Sequence, residues 1–125
     1  MGIRVLVVED HEDSREILDS VLRFLGATVF AVGDARAALT HLPAADIIVT
    51  DLVLQGEDGV WLCEQVDRQP RPIPVIALSG FTATQYPRTG RVSFARTLLK
   101  PVDPDEVARL ILEVLGTGHP PEADA

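Results

Sequence analysis

Two kinds of apolar pattern alternate along this chain, and that alternation limits the architectures open to it. Residues 3–8 form a short run rich in β-branched side chains, broken only by Arg4, as suits a strand covered on both faces. Ile17, Leu18, Val21, Leu22 and Leu25 then recur at helical spacing, a stripe on one helix face. Asp13 with Glu16 three residues on resembles a capping box, and Gly26 is placed to end that helix. The same alternation predicts a strand over 28–32, a short helix over 34–42 begun by Asp34, and a largely apolar strand over 45–50. A helix over 59–68 carrying Trp61 and Cys63 follows, then a strand over 73–78 and a short strand over 97–99. Asp103-Pro104-Asp105-Glu106 is a helix start: an Asp cap, Pro in first position and acids at the positive end of the helix. Val107, Leu110, Ile111, Val114 and Leu115 form its stripe, and Gly116 is expected to close it.

Five strands alternating with helices predict a parallel sheet covered on both sides. Between Ser79 and Thr97 the run Tyr86-Pro87-Arg88-Thr89-Gly90 interrupts any helix, so a fourth helix there is expected to be short or mobile. At 125 residues there is room for one domain, which buries roughly 65% of its unfolded surface. No apolar run approaches the ~20 residues that span a bilayer, and no leader segment is visible. A single cysteine, Cys63, cannot form an internal disulfide; it reads as a small core residue in a cytoplasmic protein. A net charge of −8 excludes the basic surface that direct nucleic-acid binding needs.

In an open parallel sheet, ligands bind beyond the carboxyl ends of the strands. There the chain places Glu9 and Asp10 after the first strand, Asp51 after the third, Ser79 and Gly80 after the fourth, and Lys100-Pro101 after the last. Clustered carboxylates repel: at ~4 Å and an effective dielectric near 20, each like-charged pair costs about 4 kcal/mol before relaxation. A hard divalent cation relieves that cost, and oxygen ligands in an open site favour Mg²⁺. Asp51, at the end of a dry central strand, is the candidate nucleophile, with Glu9 and Asp10 holding the metal and Lys100 neutralising charge on a transferred group. The eleven basic residues are ten arginines and Lys100, so a compact ammonium stands only at this strand end.

Taken together, Val7-Val8-Glu9-Asp10, the run from Asp46 to Asp51, Gly56-Glu57-Asp58-Gly59, the run from Val75 to Gly80, and Leu99-Lys100-Pro101 resemble the receiver domains of bacterial response regulators. The resemblance covers residues 3 to 116. It implies a flavodoxin-like, doubly wound (βα)5 three-layer sandwich on a five-stranded parallel sheet, with a receiver domain over 1–116 and a flexible tail over 117–125. It further implies that Asp51 accepts a phosphoryl group from a phosphohistidine on a histidine kinase or phosphotransfer protein. Such a chain is a signalling receiver that catalyses only its own phosphorylation and dephosphorylation and switches an output partner. Glu9, Asp10, Asp51 and the backbone carbonyl of Val53 would surround Mg²⁺; Ser79 and Lys100 would hold the phosphoryl oxygens; the Lys100-Pro101 bond would be cis.

Three departures stand out. The family usually carries Pro four residues after the acceptor, where Gln55 stands and is expected to alter only the loop. It commonly carries an aromatic residue three before the lysine, where Thr97 stands, and Pro87 and Gly90 interrupt a helix often used to meet partners. Val53 and Phe81 are both apolar and flank the phosphoryl position, so a long-lived phosphorylated state is expected. Glu57 and Asp58 read as turn formers, Trp61 as packing or surface, His11 as solvent-facing, and His41 and His119 as incidental. Two other readings compete. A haloacid-dehalogenase-type phosphatase carries a second Asp two residues after the first, where this chain has Val53. A non-phosphorylated interaction module on the same fold usually lacks a site residue, and this chain lacks none.

Overall fold

The computed structural model describes residues 2–80 and 86–117. Five strands, β1 (Arg4–Val8), β2 (Thr28–Val32), β3 (Ile47–Asp51), β4 (Val75–Ser79) and β5 (Arg96–Leu99), form one sheet in the order β2-β1-β3-β4-β5, all pairs parallel. The helices are α1 (Glu12–Phe24), α2 (Ala35–Ala38), α3 (Gly59–Val66) and α4 (Pro104–Thr117). This is the flavodoxin-like order.

Strand period two divides the apolar side chains of the central strands between two cores. Leu6 and Val8, Ile48, Val75 and Ala77 face one side, where they pack with Val60, Leu62 and Cys63 of α3 and with Ala35 and Ala38 of α2. Val5 and Val7, Ile47 and Val49, Ile76 and Leu78 face the other, against Leu18 and Leu22 of α1 and Val107, Ile111 and Val114 of α4. Each leucine or isoleucine so buried stabilises the fold by about 1.5–3 kcal/mol. This double covering is why the strands read as continuous apolar runs rather than alternating ones.

Local chemistry sets the helix ends. Gly26 has φ of 100°, and its N–H and that of Ala27 donate to the carbonyls of Arg23 and Leu22, a Schellman closure of α1. At the other end the cap is His11, whose Nδ1 accepts from the Ser14 N–H at 3.4 Å; Asp13 lies inside the helix and caps nothing, a correction to the capping box. The α1 stripe is narrower than the spacing predicts: Leu18 and Leu22 are buried, whereas Ile17 and Leu25 are exposed. Asp34 caps α2 through the Ala37 N–H at 2.7 Å, but α-helix lasts only four residues before a 3₁₀ segment, Leu39–Ala44. Pro43 explains this, since it lacks a donor and its ring crowds the carbonyl four residues back. The Asp103 carboxylate accepts from the Asp105 N–H at 2.9 Å as expected, and α4 runs through Gly116 to Thr117 rather than closing at the glycine. Between β4 and β5 the described residues hold a single 3₁₀ turn, Pro87–Arg91. Phe81, His119 and the tail beyond Thr117 lie outside the described residues.

One glycine ties α3 to the end of β3. A methyl added at Gly59 would stand 2.6 Å from the Asp51 carbonyl oxygen and 3.0 Å from Leu52 Cα, both backbone atoms that cannot step aside cheaply. The Gly59 N–H donates to the Leu52 carbonyl at 2.8 Å. Gly59→Ala is therefore expected to lose about 1–3 kcal/mol of stability in urea denaturation, the usual cost of overpacking. Wild-type stability in this variant would mean that the start of α3 moves freely away from Asp51.

Candidate functional site

Strand register delivers the candidate residues to one edge of the sheet. Val8 pairs with Thr50, so Glu9 leaves β1 beside Asp51 at the end of β3; Ser79 pairs with Leu99, so Lys100 leaves β5 beside Ser79 at the end of β4. The order of strand addition reverses between the parallel β1 and β3, where the connections pass to opposite faces and open a crevice. One oxygen from each of Glu9, Asp10 and Asp51 lies within 4.8 Å of the others. Lys100 Nζ stands 2.9 Å from Asp51 Oδ1 and 3.6 Å from Glu9 Oε2. The Lys100 N–H donates to the Ser79 carbonyl at 2.7 Å, and the Lys100-Pro101 peptide is cis. Ser79 is buried, and Val53 lies in the loop two residues past Asp51 with its side chain half exposed.

Burial divides the three acids. Asp51 and Glu9 are 1% and 2% exposed, whereas Asp10 faces solvent. Burial, and then the neighbouring Glu9 carboxylate, push the Asp51 carboxyl up to about 8, against the pull of Lys100. Burial would also raise Glu9. It is held below the usual carboxylate range instead, because the Asp51 carboxyl, the His11 N–H (2.9 Å from Oε1) and Lys100 favour its ionised form. Burial disfavours the Lys100 ammonium, but Asp51 and Glu9 more than compensate and raise its pKa. Burial of the pair thus disfavours ionising both acids at once, and Asp51 is the one pushed up.

The cluster therefore carries more negative charge than its one ammonium balances. Both buried Asp51 oxygens lack an aligned hydrogen-bond donor among the described residues, although Lys100 is close by as an ion pair. A hard cation among the three carboxylates would supply the missing partner, so the residues present fit Mg²⁺. A groove of about 510 Å³, lined by Ile17, Leu18, Leu78, Pro101 and Val102, opens beside Glu9 and Lys100.

Gln55 does more than reshape its loop. Its backbone N–H donates to Asp10 Oδ2 at 3.1 Å, tying the loop after β3 to the acid after β1. A proline there would have no N–H to give, and the sequence signals this role only as a departure from the usual proline. Asp58 caps α3 through the Trp61 N–H at 2.8 Å and also accepts from the Tyr86 hydroxyl and pairs with Arg88 at 3.5 Å, while Glu57 pairs with Arg36. Both are turn residues, as expected, with added ties to neighbouring elements. Trp61 packs under the Arg36 guanidinium, 5.0 Å from the ring centroid. Burial pushes the Cys63 thiol up to about 12, which leaves it an unreactive core residue. His41 stacks on Phe30, a packing role that its sequence neighbours do not reveal.

With fold and geometry in view, comparison with known proteins places the chain. Residues 5–112 match the response regulator receiver domain, and the chain belongs to that family. It is 32% identical over 124 residues to an uncharacterised 14.6 kDa protein of Leptolyngbya boryana, covering 95% of this chain and 94% of that one. It is 35% identical over 114 residues to the DNA-binding response regulator MtrA of Mycobacterium tuberculosis, covering 88% of this chain but spanning only 50% of MtrA. Among solved structures it resembles the receiver domain of the sensor histidine kinase PA1611 of Pseudomonas aeruginosa PAO1. That domain holds a magnesium ion in its active-site cleft; identity is 28% and the TM-score 0.82, over 94% of this chain and 100% of that one. The chain is thus a signalling module of the two-component kind rather than a metabolic enzyme. Among the described residues no helix is long and apolar enough to cross a membrane.

Asp51 titrates far above its ordinary value of 3.8, which sets a pH dependence. A raised folded-state pKa means the folded protein binds this proton more tightly than the unfolded chain. Its contribution to stability is therefore fully present below the ordinary value and is lost as pH rises through about 8. Glu9, lowered, loses its contribution only as pH falls below its ordinary 4.5, and Lys100, raised, only above 10.5, so neither acts in that window. In chelator, the urea midpoint of the wild type is expected to fall between pH 5 and pH 8 relative to that of Asp51→Asn. Parallel profiles for the two proteins would show that Asp51 ionises normally.

Proposed function

We propose that this chain is a phosphoacceptor receiver of a two-component phosphorelay. It takes a phosphoryl group from a phosphohistidine onto Asp51 with the aid of Mg²⁺, and so biases a partner or output. The observation that carries this reading is the buried Asp51 carboxylate, flanked by two further acids and set 2.9 Å from the chain's one lysine. Burying two carboxylates with one ammonium costs hydration that a single ion pair returns only in part, which favours a bound cation at this cluster.

In this reading an Asp51 carboxylate oxygen attacks phosphorus, the phosphorus–nitrogen bond of the donor breaks, and the imidazole leaves with the electron pair and takes up a proton. Lys100, already beside Asp51 Oδ1, moves its pairing to a phosphoryl oxygen, and Ser79 donates its hydroxyl to another. Glu9, Asp10, Asp51 and the Val53 carbonyl are the residues that would hold Mg²⁺. The ion supplies charge to neutralise the transferred phosphoryl oxygens. Only the proton on Asp51 must leave first, and a cation among the acids favours that loss. The donor is a histidine kinase or phosphotransfer protein, the site of action is the cytoplasm, residues 1–116 are the working domain, and residues 117–125 are a tail. Phosphotransfer and its reversal are the only catalysis proposed.

Intact-mass measurement after incubation with a small-molecule phosphodonor tests this directly. One phosphoryl adduct is expected for the wild type with Mg²⁺, and none in chelator or for Asp51→Asn. An adduct that persists in Asp51→Asn would place the acceptor elsewhere. No adduct from either a small donor or a phosphorylated histidine protein would leave the chain an interaction module.

A further inference from the structure

Besides Lys100, a second cation reaches the acidic end of β1, and it comes from behind. Arg15 stands one turn into α1, and its guanidinium folds back over the β1–α1 loop, where Nη1 donates to the backbone carbonyl of Glu9 at 3.0 Å. The Glu9 N–H donates to the Val32 carbonyl at 3.1 Å. Both polar groups of the Glu9 backbone are thus engaged, from α1 on one side and from β2 on the other. The Glu9 carbonyl belongs to the peptide that joins Glu9 to Asp10, so the plane of that peptide sets the direction in which Asp10 leaves the strand. Room for the guanidinium comes from Gly33, where an added methyl would stand 3.2 Å from Arg15 Nη1 and 3.9 Å from Cζ.

We propose that Arg15 is a positioning residue for the cation site, fixing the Glu9–Asp10 peptide so that both carboxylates converge with Asp51. The inference rests on reading this cluster as a Mg²⁺ site. Two physical effects of Arg15 have opposite signs, and this makes the idea testable. As a bare charge, a guanidinium near three carboxylates repels a divalent cation, so its removal would tighten binding. As a clamp on the ligand-bearing peptide, its removal loosens the ligands and weakens binding, as loss of outer-shell partners of metal sites generally does. Lysine keeps the charge but has a single compact donor in place of the planar fork.

Calorimetric titration with Mg²⁺ at fixed pH and ionic strength, on the wild type, Arg15→Met, Arg15→Lys and Gly33→Val, separates the two. Arg15→Met is expected to bind Mg²⁺ about tenfold more weakly, the lower end of the outer-shell range, with Arg15→Lys in between. Gly33→Val keeps every charge but crowds the guanidinium, and is expected to weaken binding in the same direction. Melting curves in chelator establish that each variant is folded; if Arg15→Met is not, Gly33→Val decides. Binding by Arg15→Met as tight as wild type, or tighter, overturns the proposal. A wild type that binds no Mg²⁺ overturns the reading of the site itself, and the positioning role with it.

Discussion

A carboxylate 1% exposed beside another 2% exposed cannot carry a full charge on each without help. In this protein the help is partial: Lys100 offers one positive charge to Asp51 and Glu9, and the Asp51 carboxyl is still pushed up to about 8. Adding a divalent cation would let both acids ionise and would free the Asp51 oxygens for chemistry. The metal-free fold therefore stores an unfavourable electrostatic arrangement, and the rest of the molecule holds it in place. The two apolar cores stabilise the sheet well enough to carry it.

Parallel strands ending in register bring that cluster together. The Val8–Thr50 pair sets Glu9 against Asp51, and the Ser79–Leu99 pair brings Lys100 to the same edge. Gly59 lets the start of α3 lie against the Asp51 carbonyl, closer than any side chain would allow. The loop between them is tied at several points: Gln55 to Asp10, Glu57 to Arg36, and Asp58 to Tyr86 and Arg88. The last of these joins the loop after Asp51 to the turn before β5. With Thr97 where an aromatic ring is common in the family, that connection is a direct physical link between the site and the β4–β5 segment.

The sheet and the cluster were legible in the sequence because both depend on short-range pattern. Apolar runs covered on two faces mark parallel strands, and in parallel sheets the residue after each strand faces the ligand crevice. What stayed hidden depends on where the backbone turns. The His11 cap went to a ring nitrogen rather than to Asp13 because the chain leaves β1 in an orientation that no local pattern encodes. Pro43 is visible in the sequence, but the apolar spacing around it reads as helix while its ring converts the second half of the α2 region to 3₁₀ geometry. The Gln55 donor and the Arg15 clamp are bonds to or from the main chain, across 45 and 6 residues respectively. Side-chain identity alone cannot announce either.

Chemical-shift mapping of backbone amides during Mg²⁺ titration addresses the central claim most directly, that three carboxylates at the ends of β1 and β3 form one cation site with Lys100. Perturbations are expected to saturate with a single affinity and to concentrate at Glu9 to His11, Asp51 to Gln55 and Lys100. Shifts that instead track the exposed acids of α1 and α4 without saturating would contradict the account, because Mg²⁺ would then be responding to the overall negative charge and not to this site.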